Sequence, residues 1–323
     1  SPTRRGVMGT TGKLSDVQVR QLREEELTEA DRIVRLAFGT FLGLPDPLAF
    51  MGDADYVRTR WAADPAAALA AVVDGTLVGT NFVTRWGSVG FFGPLTVLPS
   101  FWDRGVARAL LQATMPIFEA WGVGHRGLFT FGHSAKHIFL YQDYGFLPRY
   151  LTPVMGKRPV GGAGEWTTLS SLGDRSEGLE AAAALTGSIL PGLDVRREID
   201  AVLDRKLGDT VLVHEGDELA AIGVCHVGAG TEAGSGTCYV KFGAARGGPG
   251  AGRRFARLLE TCEDFAVSQG ASTLVAGVNT GRRGAYRQMV ARGYRAGLIG
   301  VTLHQPDDEA YHHPDAYVID DWR

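Results

Sequence analysis

The chain is poor in cysteine, which limits the classes of protein to which it can belong. Its 323 residues contain 3 cysteines, and Cys225, Cys238 and Cys262 show no C-x-x-C spacing. So sparse a set argues against a disulfide framework and against a zinc site. All three lie in apolar stretches, which predicts buried thiols, and reduced thiols fit the cytoplasm.

The chain also lacks an excess of charge and any long apolar run. Its 33 basic and 36 acidic side chains leave a formal net charge of −3. This balance offers no electrostatic footprint for nucleic acid or an acidic membrane. No run approaches the ~20 apolar residues that span a bilayer. We therefore expect no nucleic-acid partner, no membrane contact and a cytoplasmic location.

The order of predicted elements repeats along the chain. The opening SPTRRGVMGTTGKLSD, residues 1–16, is polar, has no apolar signal core and is predicted to be a disordered leader. Residues 17–156 and 167–323 each show strand, helices, hairpin, strand, glycine turn, helix, strand, helix and strand. The glycine-rich segment 157–166 separates them as a linker. Two copies of one α/β unit explain the length better than one large sheet.

A glycine stands where the long helix of the first half begins. The predicted strand VGFFGPLTVLP (89–99) is followed by SFWDRG and then by an apolar pattern of helical period from Val106. The first turn of a helix leaves backbone N–H groups unpaired, and these favour an anion together with the helix dipole. Because Gly105 has no Cβ, a phosphate can approach the main chain there.

The second half repeats this feature in FGAARGGPGAGRRFARLL. A dinucleotide-binding loop would need G-x-G-x-x-G directly after the first strand of its unit, and a P-loop would need Gly-Lys-Ser/Thr. Neither requirement is met here. A tight turn from strand to helix, without a ligand, stays open as an alternative for each half taken alone.

Both halves resemble the GCN5-related N-acetyltransferases, a family whose pyrophosphate loop has the form Q/R-x-x-G-x-G/A after a strand ending near V-x-P. The first half has Val97, Pro99, Gly105 and Ala107 at these positions, while Trp102 replaces the usual Gln or Arg. The second half has Gly250 and Gly252, with Gly247 at the first position. The resemblance covers nearly the whole chain after the leader.

The resemblance implies an α/β (α+β) fold of two tandem domains, each a mixed, mostly antiparallel sheet flanked by helices. It also implies acetyl-CoA as co-substrate, with pantetheine and the oxyanion at the strand around residues 95–97. The residues it assigns to the coenzyme are, in the first half, Leu95, Thr96, Val97, Asp103, Arg104, Gly105, Val106, Ala107 and Arg108, and in the second half Gly248, Gly250, Ala251, Gly252 and Arg253.

The family's helix after the next strand ends as Y-x-x-x-G-F, with the tyrosine hydroxyl near the coenzyme sulfur. LYQDYGF places Tyr141 four residues before Gly145, whereas the second half has Met289 four residues before Gly293. A tyrosine of pKa ~10 can protonate a thiolate of pKa ~8.5, so Tyr141 is the predicted acid. We therefore expect the first half to be catalytic and the second to be degenerate or regulatory.

The acceptor amine must lose a proton before it attacks. An alkyl ammonium of pKa ~10.4 resists deprotonation at pH 7 by about 4–5 kcal/mol. His133 is the predicted base, with His137 and a chain of water molecules as alternatives, because histidine titrates in the useful range. The acidic loop that contains Asp46, Asp53 and Asp55 is a further place for an amine, or simply a solvated loop.

These features predict an acyltransferase that moves acetyl from acetyl-CoA to a primary amine of a small molecule or peptide by direct attack. The expected state is a monomer or homodimer. No metal is expected, since the adjacent His312 and His313 point different ways. Two alternatives stay open: a non-catalytic acyl-CoA-binding or sensing protein, and an acyltransferase or decarboxylase that uses another acyl-CoA or a thiol acceptor, with Thr96 and His133 as a reactive pair.

Overall fold

Helices flank a single extended sheet in this protein. The computed structural model describes residues 16–162 and 164–323, so the predicted leader lies almost wholly outside the described residues. Eight α-helices occur in that part of the chain: α1 (Leu27–Phe41), α2 (Val57–Ala63), α3 (Val106–Trp121), α4 (Ala135–Gln142), α5 (Arg175–Ile189), α6 (Arg196–Asp204), α7 (Ala251–Ser268) and α8 (Arg283–Ala291).

Fourteen strands form the sheet within the same residues. Seven precede the linker: β1 (Gln18–Gln21), β2 (Ala68–Val73), β3 (Thr76–Trp86), β4 (Val89–Phe92), β5 (Thr96–Val97), β6 (His125–Phe131) and β7 (Leu147–Lys157). Seven follow it: β8 (Thr167–Thr168), β9 (Gly208–Glu215), β10 (Glu218–Gly228), β11 (Gly234–Ala245), β12 (Thr273–Gly277), β13 (Arg295–Gln305) and β14 (Val318–Ile319).

The sheet is mixed and mostly antiparallel, as expected for the fold class. Its order is β1-β2-β3-β4-β6-β13-β7-β12-β11-β10-β9-β8, with β5 added to β3 and β14 added to β11. Among the described strands, only β4 with β6 and β11 with β12 pair in parallel. Each half therefore has one parallel step, and in each half it lies next to the strand that precedes the glycine turn.

The last strands of the two halves interleave at the centre of the sheet. β13, from the second half, lies between β6 and β7, while β7, from the first half, lies between β13 and β12. The linker 157–166 thus follows a strand that already pairs with the second half. The boundaries 17–156 and 167–323 stay a prediction, and the backbone pairing crosses them.

An apolar core also joins the halves. One buried cluster combines Trp86 and Phe91 of the first half with Val224, Phe242 and Trp322 of the second. The ring of Trp86 meets Phe91 at 4.7 Å and Phe242 at 5.3 Å, both edge to face. The buried aromatic area at this contact is of the kind that dominates core energetics. The two halves therefore share one sheet and this buried apolar cluster.

The single strand predicted over residues 89–99 is corrected by the structure. β4 ends at Phe92, and β5 begins at Thr96, so the ladder breaks at Gly93, Pro94 and Leu95. A proline has no N–H to donate, which favours an interruption at this point. The stretch WTTLSSL was also predicted as a strand, but only Thr167–Thr168 is extended, and a 3₁₀ turn follows.

The three cysteines are free and buried, as predicted. Within the described residues, no helix has the length and apolar character that a membrane span requires. The same residues contain no group of three or more His, Cys, Asp or Glu side chains placed to hold a metal ion.

Candidate active site

The glycine turn of the first half has the geometry of an anion site. Gly105 is the N-cap of α3 with φ 83°, in the left-handed region where glycine is favoured. The bond from the Ala109 N–H to the Gly105 carbonyl, 3.1 Å, opens the helical ladder. The amides of Val106, Ala107 and Arg108 precede that bond, so they are available to a ligand at the helix N-terminus.

The side chains at this turn add positive charge. Arg108 pairs with Asp143 at 2.6 Å, and Lys136 pairs with Asp103. Arg104 has no carboxylate partner there, and its guanidinium lies 5.3 Å from the ring of Phe101. Three cations against two carboxylates leave a net positive charge beside the free amides, which favours a diphosphate.

The broken strand next to the turn opens a cleft in the sheet. β4 pairs with β6 as far as Phe92 opposite Leu128, while β6 continues to Phe131. After the break, β5 returns to β3, with Thr96 opposite Thr80 and Val97 opposite Gly79. The edge of β5 that faces β6 is consequently unpaired over the length of the cleft.

The free edge of β5 presents a backbone amide to the cleft. The Thr96 carbonyl points toward Gly79 of β3, whereas the Val97 carbonyl accepts a bond from the Trp102 indole at 2.8 Å on the other side. Because residues of a strand alternate between its two edges, the N–H group of Val97 faces the cleft. It is placed to donate to an acyl-pantetheine chain or to a developing oxyanion.

A cavity of about 690 Å³ connects the glycine turn with this cleft. It is lined by predicted coenzyme residues, by the predicted acid and by a set of aromatic side chains. Of the predicted residues, the lining contains Leu95, Thr96, Val97, Asp103, Gly105, Val106, Ala107, Arg108 and Tyr141. Arg104 and His133 are not part of it.

The cavity passes through the sheet from one face to the other. On one face, Leu128 of β6 packs in the cluster that holds Leu110 of α3 and Tyr141. On the opposite face, Phe131 packs against Phe38 and Phe41 of α1 at 5.7 and 5.3 Å. Successive residues of a strand point to opposite faces. The coenzyme face and the α1 face therefore meet at the gap between β5 and β6.

Tyr141, the predicted acid, lies at this gap. Its side chain is 6% exposed and packs edge to face on Phe92 at 5.7 Å. Within the described residues its hydroxyl has no hydrogen-bond partner, although the residue lines the cavity. Burial raises the pKa of Tyr141, so the hydroxyl keeps its proton at neutral pH.

The two candidate histidines occupy different environments. His133 is exposed, stacks on Phe41 at 5.4 Å and lies outside the cavity lining, so the structure gives no support to it as the base. It is also not brought to a shared site with Thr96, whose hydroxyl contacts that of Thr80 at 3.0 Å. His137 does line the cavity, and its Nδ1 lies 2.6 Å from the Ser134 hydroxyl.

Protonation of His137 is disfavoured in this position. Burial lowers the pKa of His137, and the neighbouring charge of Lys136 lowers it further. The ring is therefore neutral at pH 7 and can accept a proton. Ser134 is the N-cap of α4, which explains the difference between the two histidines: His137 lies within the first turn of the helix, and His133 precedes it.

The acidic loop has structural roles. Asp46 accepts the Leu48 N–H at 3.2 Å, Asp53 accepts the Ser235 N–H at 2.8 Å, and Asp55 accepts the Arg58 N–H at 2.9 Å. None of the three aspartates lines the cavity. These carboxylates therefore stabilise turns and a contact between the halves.

The second glycine turn has the same backbone but different surroundings. Gly250 is the N-cap of α7 with φ 85°. The guanidinium of Arg254 donates to the carbonyls of Arg246 and Gly247 at 2.8–3.0 Å, directly at this turn. Arg253 pairs with Glu215 at 3.1 Å. The loop is thus held by its own side chains.

The cleft edge of the second half is covered by the end of the chain. The N–H of Arg246 donates to Ala220, as that of Leu98 donates to Val78, which makes Ala245 the equivalent of Val97. β14 pairs with β11 at residues 243–244, and the Ala245 N–H donates to the Tyr317 carbonyl at 3.0 Å. The amide equivalent to that of Val97 therefore already has a partner.

The hydroxyl equivalent to that of Tyr141 is also missing. Met289 of α8 is fully buried in the core of the second half. Tyr317 fills further space, with its hydroxyl 3.1 Å from the Cβ that a side chain at Gly252 would have. Gly248, Gly250, Ala251, Gly252 and Arg253 stay predicted coenzyme residues, but none of them adjoins a cleft of the kind seen in the first half.

Sequence reasoning missed the residues that close the far end of the first cavity. Tyr56, Trp322 and Arg323 line it together with Phe38 and Phe50. Trp322 and Arg323 are the last two residues of the sequence, and no periodic pattern in the sequence predicts that they lie beside the first half. The aromatic residues of α1 lie on its apolar face, where the sequence alone does not distinguish a cavity wall from a packed core.

A buried ion pair fixes one wall of this end. Arg60 of α2 donates to Glu232 at 2.7 Å and to the Gly93 carbonyl at 2.6 Å. Lys241 of β11 also binds Glu232, at 2.6 Å. The two positive charges lower the pKa of Glu232 against the opposing effect of burial. Glu232 of the second half thus fixes the position of Arg60, and Arg60 in turn binds the Gly93 carbonyl at the break between β4 and β5.

Comparison with known proteins gives one family. The model of the acetyltransferase (GNAT) family matches residues 35–146, which contain the first cleft. Comparison with curated proteins gives no match.

Several solved structures share the fold of the whole chain. A Pyrococcus horikoshii protein, provisionally described as an acetyltransferase, has a TM-score of 0.68 at 13% identity and covers 98% of this chain and 96% of its own. A GCN5-related N-acetyltransferase from Sphaerobacter thermophilus has a TM-score of 0.57 at 16% identity, with coverages of 90% and 96%. One from Anabaena variabilis has a TM-score of 0.53 at 13% identity, with coverages of 90% and 72%.

Proposed function

The chain carries a domain of the acetyltransferase (GNAT) family at residues 35–146, and from that premise we propose that it is an acetyl-CoA-dependent N-acetyltransferase whose active site is the first-half cavity. The observation that carries the proposal is the continuous cavity from the amides of the α3 N-terminus, past the free edge of β5, to the unpartnered hydroxyl of Tyr141. The acceptor is a primary amine. We also propose that this catalytic half is the unit 17–156 and that the protein acts in the cytoplasm.

Acetyl-CoA would supply an activated acyl thioester. The amides of residues 106–108 would bind its diphosphate, aided by the net positive charge of the turn. The free edge of β5 would hold the pantetheine chain by hydrogen bonds of the kind that a neighbouring strand makes. The free amides, the cations of the turn and the free strand edge support this choice of co-substrate.

The chain's own groups account for the remaining chemistry. The N–H group of Val97 stabilises negative charge on the carbonyl oxygen. The Tyr141 hydroxyl gives its proton to the departing thiolate. His137 accepts the proton of the incoming amine through water, because it is the neutral histidine that lines the cavity.

The second half serves as a scaffold in this proposal. Its cleft edge is paired with β14, and its glycine turn is held by Arg254. It contributes β13, Trp322 and Arg323 to the walls around the first cavity. We therefore expect one coenzyme per chain.

An assay of thiol release with acetyl-CoA and a panel of primary amines tests the proposal. We expect thiol release that depends on amine and that matches the amount of N-acetyl product found by mass spectrometry. Malonyl-CoA and octanoyl-CoA serve as alternative donors, and thiols as alternative acceptors. Binding of acetyl-CoA without transfer to any amine would favour a sensing protein and contradict the proposal.

A further inference from the structure

The α1 face of the cavity is built almost entirely from apolar side chains. We define the aromatic chamber as Phe38, Phe41, Phe50, Met51, Phe131 and Trp322, all of which line the cavity. They come from α1, from the loop that follows it, from β6 and from the end of the chain. The chamber lies opposite the coenzyme face, where an acceptor would approach the thioester.

The rings of the chamber pack against one another. Phe38 lies 5.4 Å from Phe50 and 5.7 Å from Phe131, and Phe41 stacks on Phe131 at 5.3 Å with an interplanar angle of 20°. Such contacts fix the orientation of each ring. The chamber is therefore a preformed wall with flat apolar faces.

Negative charge is almost absent from the cavity. Among the described residues that line it, the only side-chain carboxylate is that of Asp103, which lies at the glycine turn and pairs with Lys136. At the far end, the guanidinium of Arg323 is paired with Asp321 at 3.2 Å and lies over the Tyr239 ring at 4.6 Å. An ammonium group in the chamber would find no acidic side chain among its walls and would lose its hydration.

We propose that the acceptor is a monoamine whose amino group is attached to an aromatic or similarly bulky apolar body, which the aromatic chamber binds. The inference rests on the proposed transferase function and names its substrate class. An apolar body gains the burial of its surface and stacks on the rings. The second ammonium group of a diamine would gain neither apolar burial nor stacking in the chamber, and it would have no carboxylate side chain to pair with.

The test compares 2-phenylethylamine with 1,6-diaminohexane, two primary amines of similar size. With acetyl-CoA at saturation, we expect kcat/KM to be at least about 30-fold higher for 2-phenylethylamine than for 1,6-diaminohexane. A good apolar contact and an unpaired charge each change the ratio of the two kcat/KM values by about tenfold or more. An equal or higher kcat/KM for the diamine would overturn the substrate class while leaving the transferase function intact.

A binding measurement tests the proposed substrate class separately from the proposed transferase function. Isothermal titration of each amine into the protein saturated with coenzyme A needs no turnover. Tighter binding of 2-phenylethylamine supports the chamber even if no thiol is released, in which case only the transferase function fails. No binding of 2-phenylethylamine, or tighter binding of the diamine, overturns the inference.

Substitutions in the chamber give a second, independent test. Phe41→Glu is expected to lower kcat/KM for 2-phenylethylamine at least about tenfold and to raise that for the diamine, while KM for acetyl-CoA changes less than about twofold. Phe50→Ala, on a loop, should raise KM for 2-phenylethylamine alone. Val290→Glu is the control, because Val290 is an exposed residue of α8 outside the cavity. An unchanged preference in both chamber variants, with both folded, would contradict the proposal.

Discussion

In the first half, β5 leaves one edge free beside an open cavity, whereas in the second half β14 pairs with the equivalent edge of β11. The turns that follow are nearly identical in backbone, with φ 83° at Gly105 and 85° at Gly250. A glycine N-cap is therefore a property of the shared fold. What differs is access: the free strand edge, the cavity and the tyrosine hydroxyl occur together only in the first half of the described chain.

The buried ion pair between the halves is the largest expected effect and tests whether the second half is a scaffold. Glu232→Gln leaves Arg60 and Lys241 buried without their common carboxylate, so we expect the free energy of unfolding to fall by about 3–5 kcal/mol. Urea unfolding measures it. Asp204→Asn, which breaks an exposed pair with Arg175, is the control and should cost less than about 0.5 kcal/mol. Equal costs would show that the contact between the halves is not stabilising.

The hydroxyl of Tyr141 is the sharpest chemical difference between the halves. Tyr141→Phe should lower kcat about 100-fold or more, because the thiolate then leaves without a proton donor, while affinity for acetyl-CoA is unchanged. Steady-state kinetics and titration of the coenzyme measure both. Tyr286→Phe removes a hydroxyl from the matching helix of the second half and should leave kcat within about twofold. Unchanged turnover in Tyr141→Phe would remove this residue from the mechanism.

The two glycine turns allow a matched pair of substitutions. Gly105→Ala and Gly250→Ala both place a side chain in the left-handed region, at a cost of about 1 kcal/mol in stability. The new Cβ meets no other atom at Gly105, whereas at Gly250 it lies 3.0 Å from the Arg254 guanidinium. The Kd for acetyl-CoA should rise at least about tenfold in Gly105→Ala only, because the methyl group meets the diphosphate. A rise of similar size in Gly250→Ala would mean that the second turn also binds coenzyme.

The last prediction concerns pH and the seam between β6 and β13. The Nε2 atom of His125 lies 2.8 Å from Nδ1 of His304. Burial, followed by the charge of His125, lowers the pKa of His304 to about 2, and burial also lowers the pKa of His125 despite Asp308. Nearby Arg282 and Arg149 add to the effect on His304.

Because these pKa values are lower in the folded protein, the unfolded chain binds more protons below pH ~6.5. Stability is then complete above pH ~6.5 and is lost as the pH falls toward 4, by up to about 1.4 kcal/mol per pH unit for each histidine. Urea unfolding between pH 7.5 and 4.5 measures the slope. In His304→Gln, the number of protons taken up on unfolding should be smaller by about one, so the dependence of the unfolding free energy on pH should be weaker. An identical pH dependence would show that His304 does not contribute.

The sequence predicted those parts of the site that lie close together along the chain. The turn at Gly105, the helix that follows it and the position of Tyr141 each depend on local spacing, which a single sequence contains. The choice between His133 and His137 depends on where the Ser134 cap starts α4, which the spacing of residues does not give. A shift of a few residues there decides which ring faces the cavity.

Other parts could not be predicted, because they depend on contacts between distant segments. β7 and β13 each have the pattern of a last strand, and no pattern states that each lies beside strands of the other half. β14 spans only Val318–Ile319, too short for a periodic signal. The aromatic chamber combines Phe38, Phe131 and Trp322, which are apolar residues like any others until the fold brings them together.

The most direct test of the difference between the clefts is a crystal structure with acetyl-CoA, together with the stoichiometry of binding by titration. We predict one coenzyme per chain, with its diphosphate on the amides of residues 106–108, and β14 still paired with β11. Two coenzymes per chain, or one in the second half with β14 displaced, would contradict the account.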